Sequence, residues 1–263
     1  MAKNTTKINA LKLKVFCSNY NPRLLPARIC IIKSQEQLRK FRILRIHDCG
    51  NLNILEASLK TLEITCYPIY APSIVPILKK SGTLLQRLKL YSFSTREMSL
   101  LPETLKSFCP NITYLNLTNV EFSTQFFELI GNLQKLQFLN LLDIYEILGD
   151  EPKILAMMFA KLLPVTLQYL DLRRSCIRSY IDILFNNCYA PLKYLLIYRL
   201  KGEKGAKALI EFCIRRKTLN YVGVSIDLDD NIKKDVEKYV TLIPWPVLEI
   251  LCSHVLMRTS LLI

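Results

Sequence analysis

Glycine, tryptophan and histidine are scarce in this chain: seven, one and two residues among 263. The two histidines matter because nine cysteines, at 17, 30, 49, 66, 109, 176, 188, 213 and 252, form no Cys-x-x-Cys pair, so no zinc-type spacing exists. Neither a metal nor a cofactor is expected. The few glycines build no phosphate-cradling loop. LKGEKGAKA at 200–208 has two of them but neither the Walker nor the dinucleotide pattern, and is expected to be a loop ahead of a helix. Long apolar runs are missing too: none reaches the ~18 residues of a membrane helix. The nearest stretch, 242–263, carries Glu249, His254, Arg258 and two prolines, which suits a buried cap better than an anchor.

Acidic residues are outnumbered, 22 against 36 Lys and Arg, for a net charge of +14. Residues 1–60 hold twelve basic side chains against Glu36, Asp48 and Glu56, so +9 of the excess lies there. Such a surface is either a solvated face or a site for an acidic partner, nucleic acid or acidic peptide. The start, MAKNTTKINALKLKV, has no signal-peptide core. With an odd number of cysteines, a reducing cytoplasmic or nuclear location is expected, with thiols packed as small apolar groups.

What the sequence does contain is a repeat. An apolar residue, two variable, an apolar, one variable and an apolar recur as FRILRIHDC (41–49), LKTLEITCY (59–67), LQRLKLYSF (85–93) and ITYLNLTNV (112–120). The phrase continues as LQFLNLLDI (136–144), LQYLDLRRS (167–175), LKYLLIYRL (192–200) and LNYVGVSID (219–227). The second anchors, at 44, 62, 88, 115, 139, 170, 195 and 222, are separated by 18, 26, 27, 24, 31, 25 and 27 residues. Alternation inside the phrase is the two-residue period of a short strand with one buried face. A single such strand cannot bury its leucines, whereas one strand per repeat, stacked side by side, makes a parallel sheet over a continuous core. The returns at 124–133, 153–163, 179–187 and 206–215 carry apolar residues three and four apart, as amphipathic helices do. The expected fold is therefore α/β: a leucine-rich-repeat solenoid, horseshoe-like, with strands on the concave face and helices on the convex face. Repeats at 38–240 follow a basic segment at 1–37 and precede a cap at 241–263. INALKLKVF (8–16) is a candidate first strand and VLEILCS (247–253) a candidate closing one. The 18-residue step is too short for a helix and implies an extended or 3₁₀ return, and the 31-residue step implies an acidic rim loop at 143–152.

Cys109-Pro110-Asn111 at a helix end, followed by IxxLxLxxV, resembles the cysteine-containing repeats of F-box proteins; Cys188 and Cys213 are expected at equivalent helix-ending, packing positions. The irregular spacing and Lys/Asn/Tyr-rich composition are similar to the divergent fungal sets, over roughly 38–240. The resemblance implies a substrate receptor: the F-box engages the Skp adaptor of a cullin–RING ubiquitin ligase, and the repeats hold the protein to be ubiquitinated. The sequence departs where the F-box would stand. Thirty-seven residues precede the first clear repeat, they include the strand-like LKLKVF, and Leu25-Pro26 runs directly into ARICIIKSQEQL. A relative without an F-box, or a truncated member, is what that departure implies.

With the anchors inward, the intervening residues face the concavity. The column before the second anchor is Ile43, Thr61, Arg87, Tyr114, Phe138, Tyr169, Tyr194 and Tyr221. Strands ~4.8 Å apart would stack its last five rings as a ladder, either a binding stripe or a brace for the sheet. The next column is Arg45, Glu63, Lys89, Asn116, Asn140, Asp171, Leu196 and Gly223, and the third runs His47, Thr65, Tyr91, Thr118, Leu142, Arg173, Tyr198 and Ser225. From these the candidate binding residues are Arg87, Lys89, Tyr114, Phe138, Tyr169, Arg173, Tyr194, Tyr198 and Tyr221. They suit an acidic, aromatic-tolerant protein segment; interleaved Arg and Tyr also suit single-stranded nucleic acid. No carboxylate pair clusters, and His47 beside Asp48 has no nucleophile with it. A non-enzymatic protein-interaction scaffold is expected, the alternative being a basic nucleic-acid-associated protein.

Overall fold

The computed structural model describes residues 9–14, 38–46, 59–69, 71–93, 100–120, 122–144, 152–198, 202–224 and 230–250. Most of the short first return and of the acidic rim loop therefore lies outside the described residues. The chain divides into two compact units, Met1–Leu136 and Gln137–Ile263.

The first unit contains strands β1 (Ala10–Lys14), β2 (Lys40–Ile46), β3 (Thr61–Ile69), β4 (Arg87–Phe93) and β5 (Tyr114–Thr118), with helices α1 (Ala71–Ser81), α2 (Leu100–Phe108) and α3 (Thr124–Asn132). The strands pair in parallel and in chain order. Each anchor leucine does what its spacing predicts: Leu59, Leu62, Ile64, Leu85, Leu88, Leu90, Leu115 and Leu117 are buried. The helices bury apolar stripes of their own, such as Ile74, Ile77 and Leu78 of α1 and Phe126, Phe127 and Ile130 of α3. Parallel strands need right-handed crossovers, which keep successive helices on one face. The residue ahead of each strand extends the ladder: Lys60, Gln86 and Thr113 each donate N–H to the carbonyl of the preceding repeat, at Arg39, Lys60 and Gln86.

The second unit repeats the plan. Its strands are β6 (Phe138–Ile144), β7 (Tyr169–Ser175), β8 (Tyr194–Leu196), β9 (Tyr221–Val224) and β10 (Thr241–Pro244), again parallel and in order. Between them lie α4 (Pro152–Leu162), a 3₁₀ turn (Cys176–Tyr180) leading into α5 (Ile181–Asn187), α6 (Gly202–Arg216) and α7 (Asp230–Glu237).

Several expectations are corrected. The first repeat stands three residues earlier than its phrase implies: Phe41, not Leu44, pairs with Leu62, and Lys40 and Arg42 pair with Thr61 and Glu63. Leu38 and Phe41 are the buried anchors, so that step is 21 residues, and Lys40 and Arg42, not Ile43 and Arg45, stand in register with Thr61 and Glu63. The glycine-containing stretch after 201 is the first turn of α6, not a loop. Cys213 lies inside α6 rather than at its end. The opening strand exists as β1, but the closing strand is β10, and residues 247–250 are helical.

Candidate functional site

On the first unit, side chains between the buried leucines form two rows across the sheet face opposite the helices. One row is Lys40, Thr61, Arg87 and Tyr114; the other is Lys12, Arg42, Glu63, Lys89 and Asn116. These rows set five cations against one carboxylate. Glu63 is committed, since Arg42 grips both its oxygens at 3.0 and 2.8 Å. Arg87 lies over the ring of Tyr114, with its Cζ 4.0 Å from the centroid. Burial pushes the Arg87 guanidinium down from its ordinary value, and Tyr114 and Glu63 oppose that shift. Tyr91 stands 39% exposed beyond them. Neighbouring strands are ~4.8 Å apart, less than the ~8 Å screening length, so the cations act on an approaching anion together. Of the predicted residues, Arg87, Lys89 and Tyr114 come together here.

The second unit holds the others, in a different state. Phe138, Tyr169, Tyr194 and Tyr221 align in register. Within the row Phe138 and Tyr169 are tilted at 5.7 Å, and Tyr194 and Tyr221 are stacked at 5.8 Å. Tyr169 and Arg173, expected on an open face, are buried, whereas Tyr198 and Tyr221 are 43% and 37% exposed. The cause of the burial is the chain's own segment after β10. Residues 245–250 form a turn of helix that lies on this face. Leu248 is fully buried with Tyr169 and Leu196, and Trp245 packs against the same cluster. The Trp245 ring also lies 4.6 Å from the Cζ of Arg173.

Arg173 organises the contact. Its Nε and Nη2 donate to the two oxygens of Asp171 at 2.9 and 2.7 Å, and its Nη1 donates to Glu249 Oε2 at 2.8 Å. Burial pushes the Asp171 carboxyl up, against the hydrogen bonds from Arg173. Burial by itself lowers the Arg173 guanidinium, but the hydrogen bonds to its two carboxylates outweigh it and the net shift is upward. Sequence reasoning found Arg173 but missed Asp171, Trp245, Leu248 and Glu249 as parts of one arrangement. Only the Leu-Asp-Leu-Arg alternation at 170–173 hinted that two charges share a face.

Cys109, Cys188 and Cys213 are buried free thiols. Burial pushes them up to about 12, 11 and 11, away from nucleophilic reactivity. Cys109 Sγ lies 3.7 Å from the Leu78 carbonyl of α1, tying two helices. Among the described residues no group of three His, Cys, Asp or Glu is placed to hold a metal, and no helix is long and apolar enough to cross a membrane.

No protein-family model matches the chain, and no curated protein matches it in sequence. Solved structures do. The leucine-rich repeat-containing protein LegL7 of Legionella pneumophila is similar at a TM-score of 0.55 and 14% identity, over 92% of this chain and 85% of that one. The fold is that of the leucine-rich repeats. A protein of Bacteroides fragilis matches 91% of this chain at 15% identity and a TM-score of 0.49; 66% of that protein is covered, slightly under two thirds of its length.

Proposed function

We propose that this leucine-rich-repeat chain is a non-enzymatic protein-interaction scaffold whose first unit receives an acidic segment of a partner protein. The observation that carries the reading is the pair of rows on β1 to β4, with Lys12, Lys40, Arg42, Arg87 and Lys89 opposed by Glu63 alone. The sheet fixes these side chains at strand spacing, and Tyr114 and Tyr91 add rigid aromatic area at low entropic cost. The finer proposal is recognition of substrates for ubiquitin-dependent turnover, through a Skp adaptor and cullin, in the cytoplasm or nucleus. The resemblance of the cysteine-containing repeats to F-box proteins supports it.

The test captures partners with the tagged full chain and with an Arg87→Glu/Lys89→Glu variant, at two salt strengths, identified by mass spectrometry. A partner held at low salt, weakened at high salt and lost from the variant is expected. Identical capture by both chains would sink the acidic-partner reading. Skp adaptor and cullin in both captures support the ubiquitin assignment, and their absence removes it.

The stack of Arg87 on Tyr114 favours a second reading, single-stranded nucleic acid bound by charge and stacking. Oligonucleotide binding that falls log-linearly with salt, and is lost in the same variant, would replace the protein partner by that one.

A further inference from the structure

The helical turn at 245–250 begins immediately after β10 and yet does not close the sheet edge. Pro244-Trp245-Pro246 turns the chain back onto the face of β7 to β9, and Pro246 sits in the first turn, where a missing N–H costs little. Three features fit the face to this occupant. At Gly223 a Cβ would come within 3.1 Å of Leu196 Cγ and of Leu248 Cδ2 and within 3.3 Å of Trp245 Cα, so the absence of a side chain leaves room for the segment. Leu196 stands in the same row as Gly223, where most repeats carry a polar residue, and supplies the apolar floor under Leu248. Arg173 is fixed by the fully buried Asp171 and still offers Nη1 to a carboxylate from outside the sheet, here that of Glu249.

The hold is partial. Val247 and Ile250 are 46% and 57% exposed, and the Glu249 side chain is 51% exposed. A turn this short has no helical stability of its own and stays formed only while docked. What is elaborately built is the face, not the segment.

We propose that this face of the second unit is a docking groove for a short helical segment of a partner protein. That segment would present an aromatic ring, a leucine three residues on and a carboxylate beside the leucine. Residues 245–250 are the chain's own occupant, displaced when the partner segment binds. The proposal rests on the protein-interaction reading above and deepens it with a second surface of different chemistry. Because the occupant is tethered, its effective concentration is in the millimolar range, and it screens out weak competitors.

The test uses a fluorescein-labelled peptide copying residues 241–250, followed by anisotropy against the full chain. The variant Leu248→Asp/Glu249→Lys releases the tethered segment. It should bind the peptide at least about tenfold more tightly than the unaltered chain, and adding Arg173→Glu should abolish binding. A variant that melts cooperatively but binds no better than the unaltered chain overturns the proposal. If the variant does not fold, hydrogen exchange on the unaltered chain decides. Amides of 247–250 that exchange well before those of β7 support a displaceable occupant, and amides that open only together with β7 make the segment a fixed part of the fold. Neither readout needs a cellular partner. Failure here leaves the basic face of the first unit untouched, and failure there leaves this groove standing.

Discussion

At the scale of single residues, side chains that fill and side chains whose absence makes room matter equally. Leu115 is fully buried on β5, so Leu115→Ala should cost about 2–5 kcal/mol in urea unfolding. Gly82 is the opposite case: a Cβ there would lie 2.2 Å from the Phe108 carbonyl oxygen at the end of α2. Backbone cannot yield cheaply, so Gly82→Ala should destabilise by about 1–3 kcal/mol, as overpacking does. The buried thiols give a pH signature. Cys109, Cys188 and Cys213 are held protonated well above the ordinary value of 9.0, up to about 11 or 12. The unfolded chain ionises first as pH rises, so the folded state binds more protons in that window. Their contribution is complete below 9.0 and declines toward 11. Urea midpoints should carry the full thiol contribution up to pH 9.0 and fall above it, more steeply than in a variant with all three changed to Ala.

At the scale of elements, two rings of one row separate a buried brace from an exposed ring. Tyr169 is 5% exposed under Leu248, and Tyr221 is 37% exposed while stacked on Tyr194. Tyr169→Ala should cost about 3–5 kcal/mol, and Tyr221→Ala only about 0.5–1.5 kcal/mol, the worth of an aromatic pair. Equal losses in thermal or urea unfolding would contradict that division. Legibility follows the same line. The strands were readable because a half-buried strand must alternate, and α3 to α6 because their apolar residues recur on one face. The first repeat was misregistered because Phe41, Ile43, Leu44 and Ile46 satisfy the phrase in two frames, and only pairing with β3 chooses between them. Helix α1 was hidden by Pro72 and Pro76, and α7 by having Val236 as its buried residue among polar neighbours.

At the scale of the whole molecule, repetition pairs strands of consecutive repeats within each unit, which is why the fold could be inferred at all. The site was less legible. The basic rows of the first unit follow from strand register, but Arg173 and Glu249 are 76 residues apart, and no local pattern announces which surface a terminal segment covers. That segment also carries an optical consequence. Trp245 is the chain's only tryptophan, and it rests beside the Arg173 guanidinium. Its emission therefore reports on six residues and is silent about the other repeats. A titration with denaturant should show the emission shifting red at lower concentration than the loss of helical circular dichroism. Superimposable curves would mean that segment and repeats unfold as one. The protein carries its own indicator lamp for whether the groove is filled, and ligand binding could be watched by its colour alone.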